Sequence, residues 1–549
     1  MFRGKELNQA SMEKSPCKEI KASCREACPA GVDVPRYIRR IREGKYSEAL
    51  AVIRESIPFP AVCGYACAHP CEARCARVQY DDPVAIRLLK RAAAEVGEDS
   101  GKDRLKAGPT GRKVAVIGSG PCGLTSACYL AEKGHEVTVF EKMPSPGGML
   151  RYGIPGYRLP KSVVDREIHR IEEMGVSIIT GSRVDSPAKL LSDGYDAVFV
   201  ATGAWLPSKM AVEVESNRVM DGINFLKDVN SGESPVIGHK VIVVGGGNTA
   251  VDAARSAVRL GAREVVVLYR RSMAEMPASP EEVRDALEEG VKIECLTSPV
   301  KIRDNKALCV RMTLGAPDHS GKPIPIPVEG SRFEVIFDTL ITAVGQSAEA
   351  FSLGLDSNSD GTARVDPQSL ATRQKGLFAA GDAVSGPSSI ILAIAQGRRA
   401  ADSIDKYLGG NGIICGNMSD GTPDDLKESA PRGSTRPDPD TLPLKDRLSG
   451  FHLVENGYDR TAAGIEATRC LSCDLRDFNV TVNSSACKEC GFCREVCSLG
   501  VFEVSGTFNS SGYKPMVAAH SKKCIGCLRC LMICPDFAIS IENKGSFAG

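Results

Sequence analysis

The chain has 549 residues, so at roughly 100–200 residues per domain it is long enough for three to four domains, each with a full hydrophobic core. Its 69 Lys and Arg residues balance 68 Asp and Glu residues, and this net charge of +1 argues against nucleic acid or an anionic membrane as a partner. The first ten residues lack the apolar run of a secretory signal, and no stretch approaches 18 uninterrupted apolar residues. We therefore expect a cytoplasmic protein without a membrane span.

Cysteine is unusually frequent. The chain has 22 cysteines, and in a reducing compartment clustered thiols more often hold metal than form disulfides. Seven lie before residue 76 and ten lie after residue 469. The other five are isolated and are expected to be small core residues: Cys122, Cys128, Cys295, Cys309 and Cys415. Because Cys122 and Cys128 do not have the spacing of a redox CxxC or CxxxxC pair, a disulfide reductase is not expected.

The N-terminal cysteines carry the first recognisable pattern. Three stretches, CREACPAGVDVP, CGYACAHPCEARC and DDPVAIRLLKRAAAE, resemble the small flavin-containing subunit of NADPH-dependent glutamate synthase and the equivalent region of dihydropyrimidine dehydrogenase, and the likeness continues to about residue 408. The resemblance implies a multidomain α/β fold. Its implied parts are a helical iron–sulfur domain (1–111), an FAD-binding domain in two parts (112–235 and 350–410) and an NADPH-binding domain (236–349) inserted between them.

Residues 112–142 form a dinucleotide-binding fingerprint. An apolar strand runs into Gly118, Gly120 and Gly123, and then a helix and a second strand lead to Glu141. The glycines allow a sharp turn and the close approach of a pyrophosphate to the helix N-terminus, and the acid bonds a ribose hydroxyl. The pattern predicts a dinucleotide site, and the resemblance implies that FAD occupies it, with further contacts from Pro121, Cys122 and Lys142.

A second fingerprint lies in residues 240–271. Gly245, Gly247 and Ala250 follow a strand, and Arg270 and Arg271 stand where an acid would select NAD. Guanidinium groups fit a 2′-phosphate through charge-assisted hydrogen bonds, so we expect NADP(H) here. The alternative is that both arginines are solvated charges at a strand end. The predicted contacts of the turn also include Gly246, Asn248 and Thr249.

The stretch GLFAAGDAVSGPSSIILAIAQGRRAA closes the FAD domain. The resemblance implies that Asp382 contacts the ribityl chain and that the helix beginning near Ser389 lies under the isoalloxazine, where its N-terminal end would stabilise negative charge on the reduced ring. The resemblance also implies flavin contacts and domain crossovers at Gly148, Met149, Val184, Ala201, Thr202, Gly203, Ala343, Gly345, Gly381 and Ile390. Residues 411–446 are polar and rich in Pro, Ser and Asp, so we expect a linker.

The C-terminal cysteines form the most specific pattern. The run C-x2-C-x2-C-x3-C occurs twice, as Cys487, Cys490, Cys493 and Cys497, and as Cys524, Cys527, Cys530 and Cys534. It predicts a bacterial-type ferredoxin domain (481–549) with two [4Fe–4S] clusters, in which the fourth cysteine of each run ligates the other cluster. Ser498 replaces the proline expected after the first run. A pair of zinc ribbons is the alternative, and four cysteines in one run fit it poorly.

The resemblance also bears on the remaining cysteines. The relatives carry an A-x-R-C-x2-C element just before their first C-x3-C-P, whereas this chain has only Cys17 there and has ATRCLSC at 467–473. We expect a return segment (447–480) that supplies the missing pair. The implied ligand sets are Cys24, Cys75, Cys470 and Cys473 for one cluster, and Cys28, Cys67 and Cys71 for a second.

The fourth ligand of that second cluster is not determined by the pattern. Relatives can use a residue other than cysteine there, and the region around Lys90 offers no obvious candidate, so Cys63 is the simplest choice. The alternative is that Cys470 and Cys473 belong to a free-standing linker and that only one N-terminal cluster forms. The chain is thus expected to hold three to four [4Fe–4S] clusters.

Together the patterns predict an NADP(H):acceptor oxidoreductase subunit with FAD and iron–sulfur clusters. NADPH carries electrons in pairs and clusters carry them singly, so a flavin between them converts one to the other. The predicted partner is another redox subunit or a ferredoxin. The sequence leaves open a 2-oxoacid oxidoreductase, a formate dehydrogenase, a soluble ferredoxin and a dye or metal reductase. The alternatives are a glutamate synthase small subunit proper and a non-catalytic electron-relay scaffold.

Overall fold

The computed structural model describes residues 22–98, 106–318, 321–412, 430–431, 433–475, 478–497 and 499–543, so Cys17, Cys415 and Ser498 lie outside the described residues. The chain forms two compact units that are interleaved in sequence. Among the described residues, the first unit comprises 106–412 and 440–456, and the second unit comprises 22–98, 430–439 and 457–543.

The N-terminal part of the second unit is helical, as predicted. Its helices are α1 (Ser23–Ala27), α2 (Val34–Arg42), α3 (Tyr46–Arg54), α4 (Pro60–Ala66), α5 (Pro70–Ala73) and α6 (Ile86–Val96), with a 3₁₀ turn at Ala76–Gln79. Tyr37 and Ile38 of α2 and Leu89 of α6 are buried in its core. Helices α4 and α6 cross closely, because a Cβ on Gly64 would lie 2.6 Å from the Cα of Arg91.

Strands and helices alternate along the first unit. Its strands are β1 (Lys113–Ile117), β2 (Glu136–Phe140), β3 (Ser177–Ile179), β4 (Ala197–Val200), β5 (Leu206–Pro207), β6 (Glu213–Glu215), β7 (Val219–Asp221), β8 (Lys240–Val244), β9 (Glu264–Tyr269), β10 (Lys292–Cys295), β11 (Thr297–Arg303), β12 (Lys306–Pro317), β13 (Pro323–Pro327), β14 (Phe333–Ile336), β15 (Thr339–Thr342), β16 (Gln346–Ser347), β17 (Leu377–Ala379), β18 (Asp440–Thr441) and β19 (Glu455–Gly457). Its helices are α7 (Pro121–Glu132), α8 (Met149–Tyr152), α9 (Lys161–Glu173), α10 (Pro187–Ser192), α11 (Gly222–Asn230), α12 (Asn248–Arg259), α13 (Pro280–Glu288), α14 (Asp382–Ser385), α15 (Ile390–Tyr407) and α16 (Leu444–Arg447), with 3₁₀ turns at Met273–Glu275 and Phe351–Leu353.

The first sheet of this unit is parallel and has the order β17-β4-β1-β2-β3. Its central strands are continuous apolar runs, because a parallel sheet is covered on both faces. Helices α7 and α15 pack against each other beside it. Their contact is so close that a Cβ on Gly397 would lie 2.3 Å from the carbonyl oxygen of Cys122.

The second sheet is also parallel and has the order β10-β9-β8-β15-β7. All its strands fall between β4 and β17 in the sequence, so the second nucleotide-binding fold is inserted in the first, as predicted. A smaller sheet, with the order β13-β12-β11-β6 and with β14 also paired to β12, was not foreseen. It is built from antiparallel hairpins around β12, and its strands carry no nucleotide-binding fingerprint.

Residues 440–456 differ from the expected organisation. The sequence predicts a linker ending at 446 and a return segment beginning at 447, whereas residues 440–456 pack on the first unit. Arg447 forms a 3.0 Å ion pair with Glu288, and the ring of Phe451 lies 6.2 Å from that of Tyr157. The polar composition of this segment gives no sign of these contacts, and the boundary of the linker stays a prediction.

The C-terminal part of the second unit is a small α+β fold. It contains α17 (Arg460–Thr468), α18 (Phe492–Val496), α19 (Arg529–Ile533), β20 (Phe478–Val482), β21 (Glu503–Val504), β22 (Met516–Val517) and β23 (Ile539–Asn543), with a 3₁₀ turn at Ser521–Lys523. Strand β20 pairs with β23, and β21 pairs with β22, both antiparallel. Val501, Phe502 and Met516 form the core between the two cysteine runs. In the described part of the chain, no helix combines the length and apolar character needed to cross a membrane.

Candidate cofactor sites

The first glycine turn connects β1 to α7. Gly118 has a φ of +102°, and a Cβ there would lie 2.6 Å from the carbonyl oxygen of Ala201. A Cβ on Gly123 would lie 2.0 Å from the carbonyl oxygen of Gly118, whereas Gly120 has no neighbouring atom within 4 Å of such a Cβ. The turn is thus closed toward the protein and open at the N-terminus of α7, where backbone N–H groups can bind a pyrophosphate.

A second glycine loop lies against this turn. Gly148 has a φ of +54°, and a Cβ there would lie 2.9 Å from the Cα of Gly120. The backbone N–H of Gly147 donates to the Ser119 hydroxyl at 3.0 Å. The structure therefore brings together Gly120 and Gly148, and Met149, the first residue of α8, follows directly.

Glu141 follows β2 and is almost fully buried. One of its carboxylate oxygens accepts a hydrogen bond from the Ser119 N–H at 3.0 Å, and the other accepts from the Met143 N–H at 2.8 Å. These bonds hold the turn in place. The Ser119 hydroxyl also donates to the first of these oxygens, so the oxygen bound to Met143 is the one that can accept a further bond, and the ribose contact of Glu141 stays a prediction.

Asp382 lies at the end of β17, beside the first turn. A Cβ on the preceding Gly381 would lie 3.0 Å from the Cys122 sulfur, and the Asp382 carboxylate accepts a 2.7 Å hydrogen bond from Ser388. Burial raises the pKa of Asp382, and its bonds to Ser388 oppose this shift. Burial also raises the pKa of the Cys122 thiol, and the Asp382 charge adds to that effect. A protonated, buried Cys122 agrees with its predicted role as a small core residue.

The remaining predicted flavin contacts are dispersed along the same edge of the sheet. Ala201, Thr202 and Gly203 follow β4, and the N–H of Ala201 bonds the Ile117 carbonyl at 2.9 Å. Lys142 lies 5.2 Å from the ring centre of Trp205, whose indole also lies beside Gly203. Val184 instead packs against the hydrophobic core of the first sheet.

Helix α15 begins beside these groups. Ser389 caps it, and its hydroxyl accepts a 3.3 Å hydrogen bond from the Leu392 N–H, so Ile390 is the first residue of an 18-residue helix. The N-terminal end of α15 is the positive end of the helix dipole, and Ser388, just before this end, donates a hydrogen bond to Asp382. Its position under an isoalloxazine stays a prediction.

The second glycine turn connects β8 to α12. A Cβ on Gly245 would lie 2.2 Å from the Ala343 carbonyl oxygen, and one on Gly246 would lie 2.4 Å from the Tyr269 ring. Gly247 is the N-cap of α12, and Ala250 in its first turn is fully buried. This geometry fits the requirement for glycine at a close backbone approach.

Three other predicted residues around this turn have contacts within the protein. The Asn248 side chain accepts a 3.0 Å hydrogen bond from the Ser279 N–H, so it holds the start of α13. Thr249 lies beside Gly222 at the start of α11. Gly345, with a φ of +135°, accepts a 3.0 Å bond from Ser208 at the crossover between the two sheets.

The two arginines after β9 differ in their surroundings. Arg270 is exposed to solvent. Arg271 is largely buried, donates to the Pro323 carbonyl at 2.8 Å and lies 3.9 Å from Asp318. They do not present two equivalent guanidinium groups, because Arg271 is already bound to the hairpin that contains β13.

In the second unit, Cys24, Cys75, Cys470 and Cys473 converge. Burial raises the pKa of the Cys24 thiol, and the neighbouring Cys473, Cys75 and Cys470 raise it further. Three of these cysteines are buried and Cys473 is partly buried. Thiolates this close would repel one another, and the iron of a cluster would supply the positive charge that offsets the repulsion. The set therefore fits a [4Fe–4S] donor set.

The segment that carries Cys470 packs on the N-terminal helices and is not a free-standing linker. Arg42 of α2 donates to the carbonyl oxygens of Ala467 at 3.0 Å and of Cys470 at 2.8 Å. The fully buried Glu466 accepts a 2.7 Å bond from the Ala85 N–H. Arg77 donates to the Arg469 carbonyl at 3.1 Å.

A second group of four buried cysteines lies nearby: Cys28, Cys63, Cys67 and Cys71. A hydrogen bond from Cys63 lowers the pKa of the Cys67 thiol against the effect of burial, and Lys90 lowers it further. The sequence offers no obvious fourth ligand in the region around Lys90, and the structure makes Lys90 itself an electrostatic neighbour of Cys67. Residues 86–93 of α6 are all buried, so periodicity along this helix gives no signal that singles out Lys90.

The C-terminal cysteines converge crosswise. The electrostatic neighbours of Cys493 are Cys487, Cys490 and Cys534, and those of Cys530 are Cys527, Cys524 and Cys497. One cavity is lined by Val482, Met516 and Ile539 and by the four cysteines of the first set, Cys487, Cys490, Cys493 and Cys534. Backbone N–H groups donate to the sulfurs of Cys487, Cys524 and Cys534 at 3.3–3.4 Å, an arrangement that favours thiolate.

The sets are not sites for single ions. Within the described ranges, no three His, Cys, Asp or Glu side chains form a group that could hold one metal ion. Ligands at the corners of a four-iron cluster stand farther apart than the ligands of one ion, so four converging thiols remain suited to a cluster.

Comparison with known families agrees with this geometry. Residues 112–397, more than half of the chain, match the model described as pyridine nucleotide-disulphide oxidoreductase. The chain belongs to the pyridine nucleotide-disulphide oxidoreductase family. In this oxidoreductase, residues 2–102 match the 4Fe-4S cluster domain called dihydropyrimidine dehydrogenase domain II, and residues 486–545 match a 4Fe-4S dicluster domain.

Three similar proteins extend over most of this oxidoreductase. It is 41% identical over 504 residues to the NADP(+)-dependent formate dehydrogenase subunit beta of Moorella thermoacetica, covering 83% of this chain and 71% of the relative. It is 37% identical over 503 residues to the NADPH-Fe(3+) oxidoreductase subunit beta of Geobacter sulfurreducens, covering 82% and 75%. It is 34% identical over 414 residues to the glutamate synthase [NADPH] small chain of Azospirillum brasilense, covering 70% and 86%.

These matches confirm several predictions from the sequence. The resemblance to the glutamate synthase small chain, the fold class and the oxidoreductase activity are confirmed. The cofactor classes, namely FAD, NADP(H) and [4Fe–4S] clusters, are confirmed as well. The individual site residues and the domain boundaries stay predictions.

Proposed function

We propose that this chain is the NADP(H)-reactive subunit of a heteromeric redox enzyme and that it carries four [4Fe–4S] clusters. The convergence of Cys470 and Cys473 with Cys24 and Cys75 carries this proposal, because it supplies a second complete N-terminal donor set. The other sets are Cys28, Cys63, Cys67 and Cys71; Cys487, Cys490, Cys493 and Cys534; and Cys524, Cys527, Cys530 and Cys497.

The residues of the first unit have separate roles in this proposal. The open N-terminus of α7 at Gly120 binds the pyrophosphate of FAD, and Asp382 orients the ribityl chain. The open turn at Gly247 binds the nicotinamide cofactor, and Arg270 contacts its 2′-phosphate. The bound cofactors supply hydride transfer between nicotinamide and flavin and one-electron transfer through the clusters.

The partner is proposed to be a second redox subunit. Two relatives are named as beta subunits, one of a formate dehydrogenase and one of an NADPH-Fe(3+) oxidoreductase. Their similarity extends over more than four-fifths of this chain, which supports a shared role in exchanging electrons between NADP(H) and a partner. A glutamate synthase small subunit is the second candidate, supported by the Azospirillum relative.

The cluster count is tested by measuring iron and acid-labile sulfide in the anaerobically purified chain. Replacing Cys470 with serine should remove about four iron atoms per chain. The control, Cys309→Ser, changes an equally buried cysteine of β12 outside every donor set and should leave the iron content unchanged. An unaltered iron content in Cys470→Ser would contradict the fourth cluster.

The activity is tested by adding NADPH to the same preparation without oxygen. The flavin absorbance should bleach, and reduced-cluster signals should appear in electron paramagnetic resonance. No bleaching would favour an electron-relay scaffold. Co-purification with a synthase large chain would favour glutamate synthase over the proposed redox subunit.

A further inference from the structure

Lys90 is a buried cation whose setting needs an explanation. It lies in the middle of α6 with only 3% of its surface exposed, and the flanking Leu89 and Ala92 are fully buried. The close crossing of α6 over α4 at Gly64 leaves no room for a side chain between these helices. An ammonium group in such a place is costly unless negative charge offsets it.

The offsetting groups are the cysteines of one donor set. The electrostatic partners of Lys90 are Cys67, Cys63, Cys71 and Cys28. The helices that carry Cys63 and Lys90 touch at this level, because Gly64, which follows Cys63, lies against the backbone of Arg91, which follows Lys90. Glu72, the nearby acid of α5, is engaged elsewhere, because it accepts from the Arg87 N–H at 2.8 Å and pairs with Arg436 at 3.2 Å. Lys90 is therefore matched to the thiolates and not to a carboxylate.

The other donor sets have different surroundings. The leading electrostatic partners of Cys493 and Cys530 are other cysteines. Cys470 is affected by Arg42 and Arg39, but Asp474 opposes them. The set of Cys28, Cys63, Cys67 and Cys71 differs from these, because a buried lysine lies beside it. The four thiols of this set are the main electrostatic partners of that lysine.

We infer that Lys90 raises the reduction potential of the cluster held by Cys28, Cys63, Cys67 and Cys71. This inference rests on the four-cluster arrangement proposed above. Reduction adds one electron and hence one negative charge to the cluster, and a nearby cation in a medium of low dielectric constant stabilises the reduced form more than the oxidised form. Protonated lysine has three N–H donors and no lone pair, so Lys90 acts beside the cluster and is not its ligand.

The test is a redox titration of the full-length chain followed by electron paramagnetic resonance. The signal of this cluster is identified as the one that disappears in Cys67→Ser. In Lys90→Met and Lys90→Gln, at the wild-type midpoint potential, the ratio of reduced to oxidised cluster should fall about tenfold, which equals about 59 mV for one electron. Lys90→Arg keeps the positive charge, so its ratio of reduced to oxidised cluster should stay within about threefold of the wild-type ratio.

A matched control is Lys45→Met, which removes an exposed lysine of the same helical region and should leave the ratio unchanged. An unchanged ratio in Lys90→Met and Lys90→Gln, with full iron content, would overturn the inference and leave the proposed cluster intact. Unaltered iron and signals in Cys67→Ser would instead overturn the cluster itself.

Cluster assembly gives a second measurement if the neutral variants lose iron. Retention of the cluster in Lys90→Arg alone would support a requirement for positive charge at this position. Equal loss in Lys90→Arg, Lys90→Gln and Lys90→Met would mean that the side chain acts through packing, and would overturn the inference.

Discussion

Arg39 and Asp474 are 435 positions apart in the sequence, and they form a two-pronged ion pair with N–O distances of 2.7 and 2.9 Å. Asp474 directly follows Cys473, so the pair holds the CxxC of the returning segment against α2. Planar guanidinium and carboxylate groups joined in this way make a stronger and more directional contact than a single surface ion pair.

Breaking this pair should weaken the cluster at Cys24, Cys75, Cys470 and Cys473. A hydrogen bond between charged groups is worth about 1.5–3 kcal/mol, so we expect Arg39→Ala to lose this cluster to a chelator about tenfold faster than wild type. The measurement is the anaerobic rate of iron release. Arg40→Ala is the control, because Arg40 lies on the same helix and pairs locally with Glu43. Equal rates in the two variants would show that the pair does not hold the segment.

The preference for NADPH should depend more on Arg270 than on Arg271. Arg270 is exposed, whereas the Arg271 guanidinium is bound to the Pro323 carbonyl. We expect Arg270→Ala to raise the KM for NADPH at least about tenfold, from the loss of a charge-assisted contact, with little change in the KM for NADH. Arg271→Ala should have a smaller effect on the ratio of the KM for NADPH to the KM for NADH. Steady-state kinetics with both nucleotides measures this, and a larger effect of Arg271→Ala would reverse the assignment.

Flavin binding should be sensitive to a methyl group at Gly148. The Cβ of Gly148→Ala would lie 2.9 Å from the Cα of Gly120, so the two loops must separate where a pyrophosphate is proposed to bind. We expect the purified variant to contain less than half of the wild-type FAD, measured from its absorbance after denaturation. Gly181→Ala is the control, because its φ of +63° causes similar backbone strain but a Cβ there has no atom within 4 Å. Equal flavin loss in both variants would attribute the effect to strain alone.

The stability of the first unit should change with pH through Lys161. Burial lowers the pKa of Lys161 to about 7, and the neighbouring Arg151 adds to that effect. Between pH 7 and the ordinary lysine pKa near 10, the unfolded chain retains a proton that the folded chain has lost, so the free energy of unfolding rises with pH. The expected slope is up to about 1.4 kcal/mol per pH unit relative to Lys161→Met.

Trp205, the single tryptophan, lies in the first unit and reports its unfolding in denaturant by fluorescence. The unfolding midpoint of wild type should rise relative to that of Lys161→Met from pH 7 to pH 9. Lys189→Met, which removes an exposed lysine of α10, should follow wild type. A difference that stays constant with pH would contradict a titrating Lys161.

Both the glycine fingerprints and the C-terminal cysteine runs were readable from the sequence, because each is a short motif of fixed residue types at fixed spacing. A turn that must pass close to another backbone needs glycine wherever it occurs, and Gly118, Gly123 and Gly245 are placed accordingly. The insertion of one nucleotide-binding fold in the other followed from the order of the two fingerprints.

The tertiary structure alone decided what depends on distant packing. It attached 440–456 to the first unit, bound Arg271 to a hairpin and left Arg270 exposed. It also surrounded Lys90 with four thiols whose sequence positions differ by up to 62 residues from its own. Burial and electrostatic coupling depend on which segments are neighbours in space, and a spacing pattern holds no information about neighbours that long loops bring together.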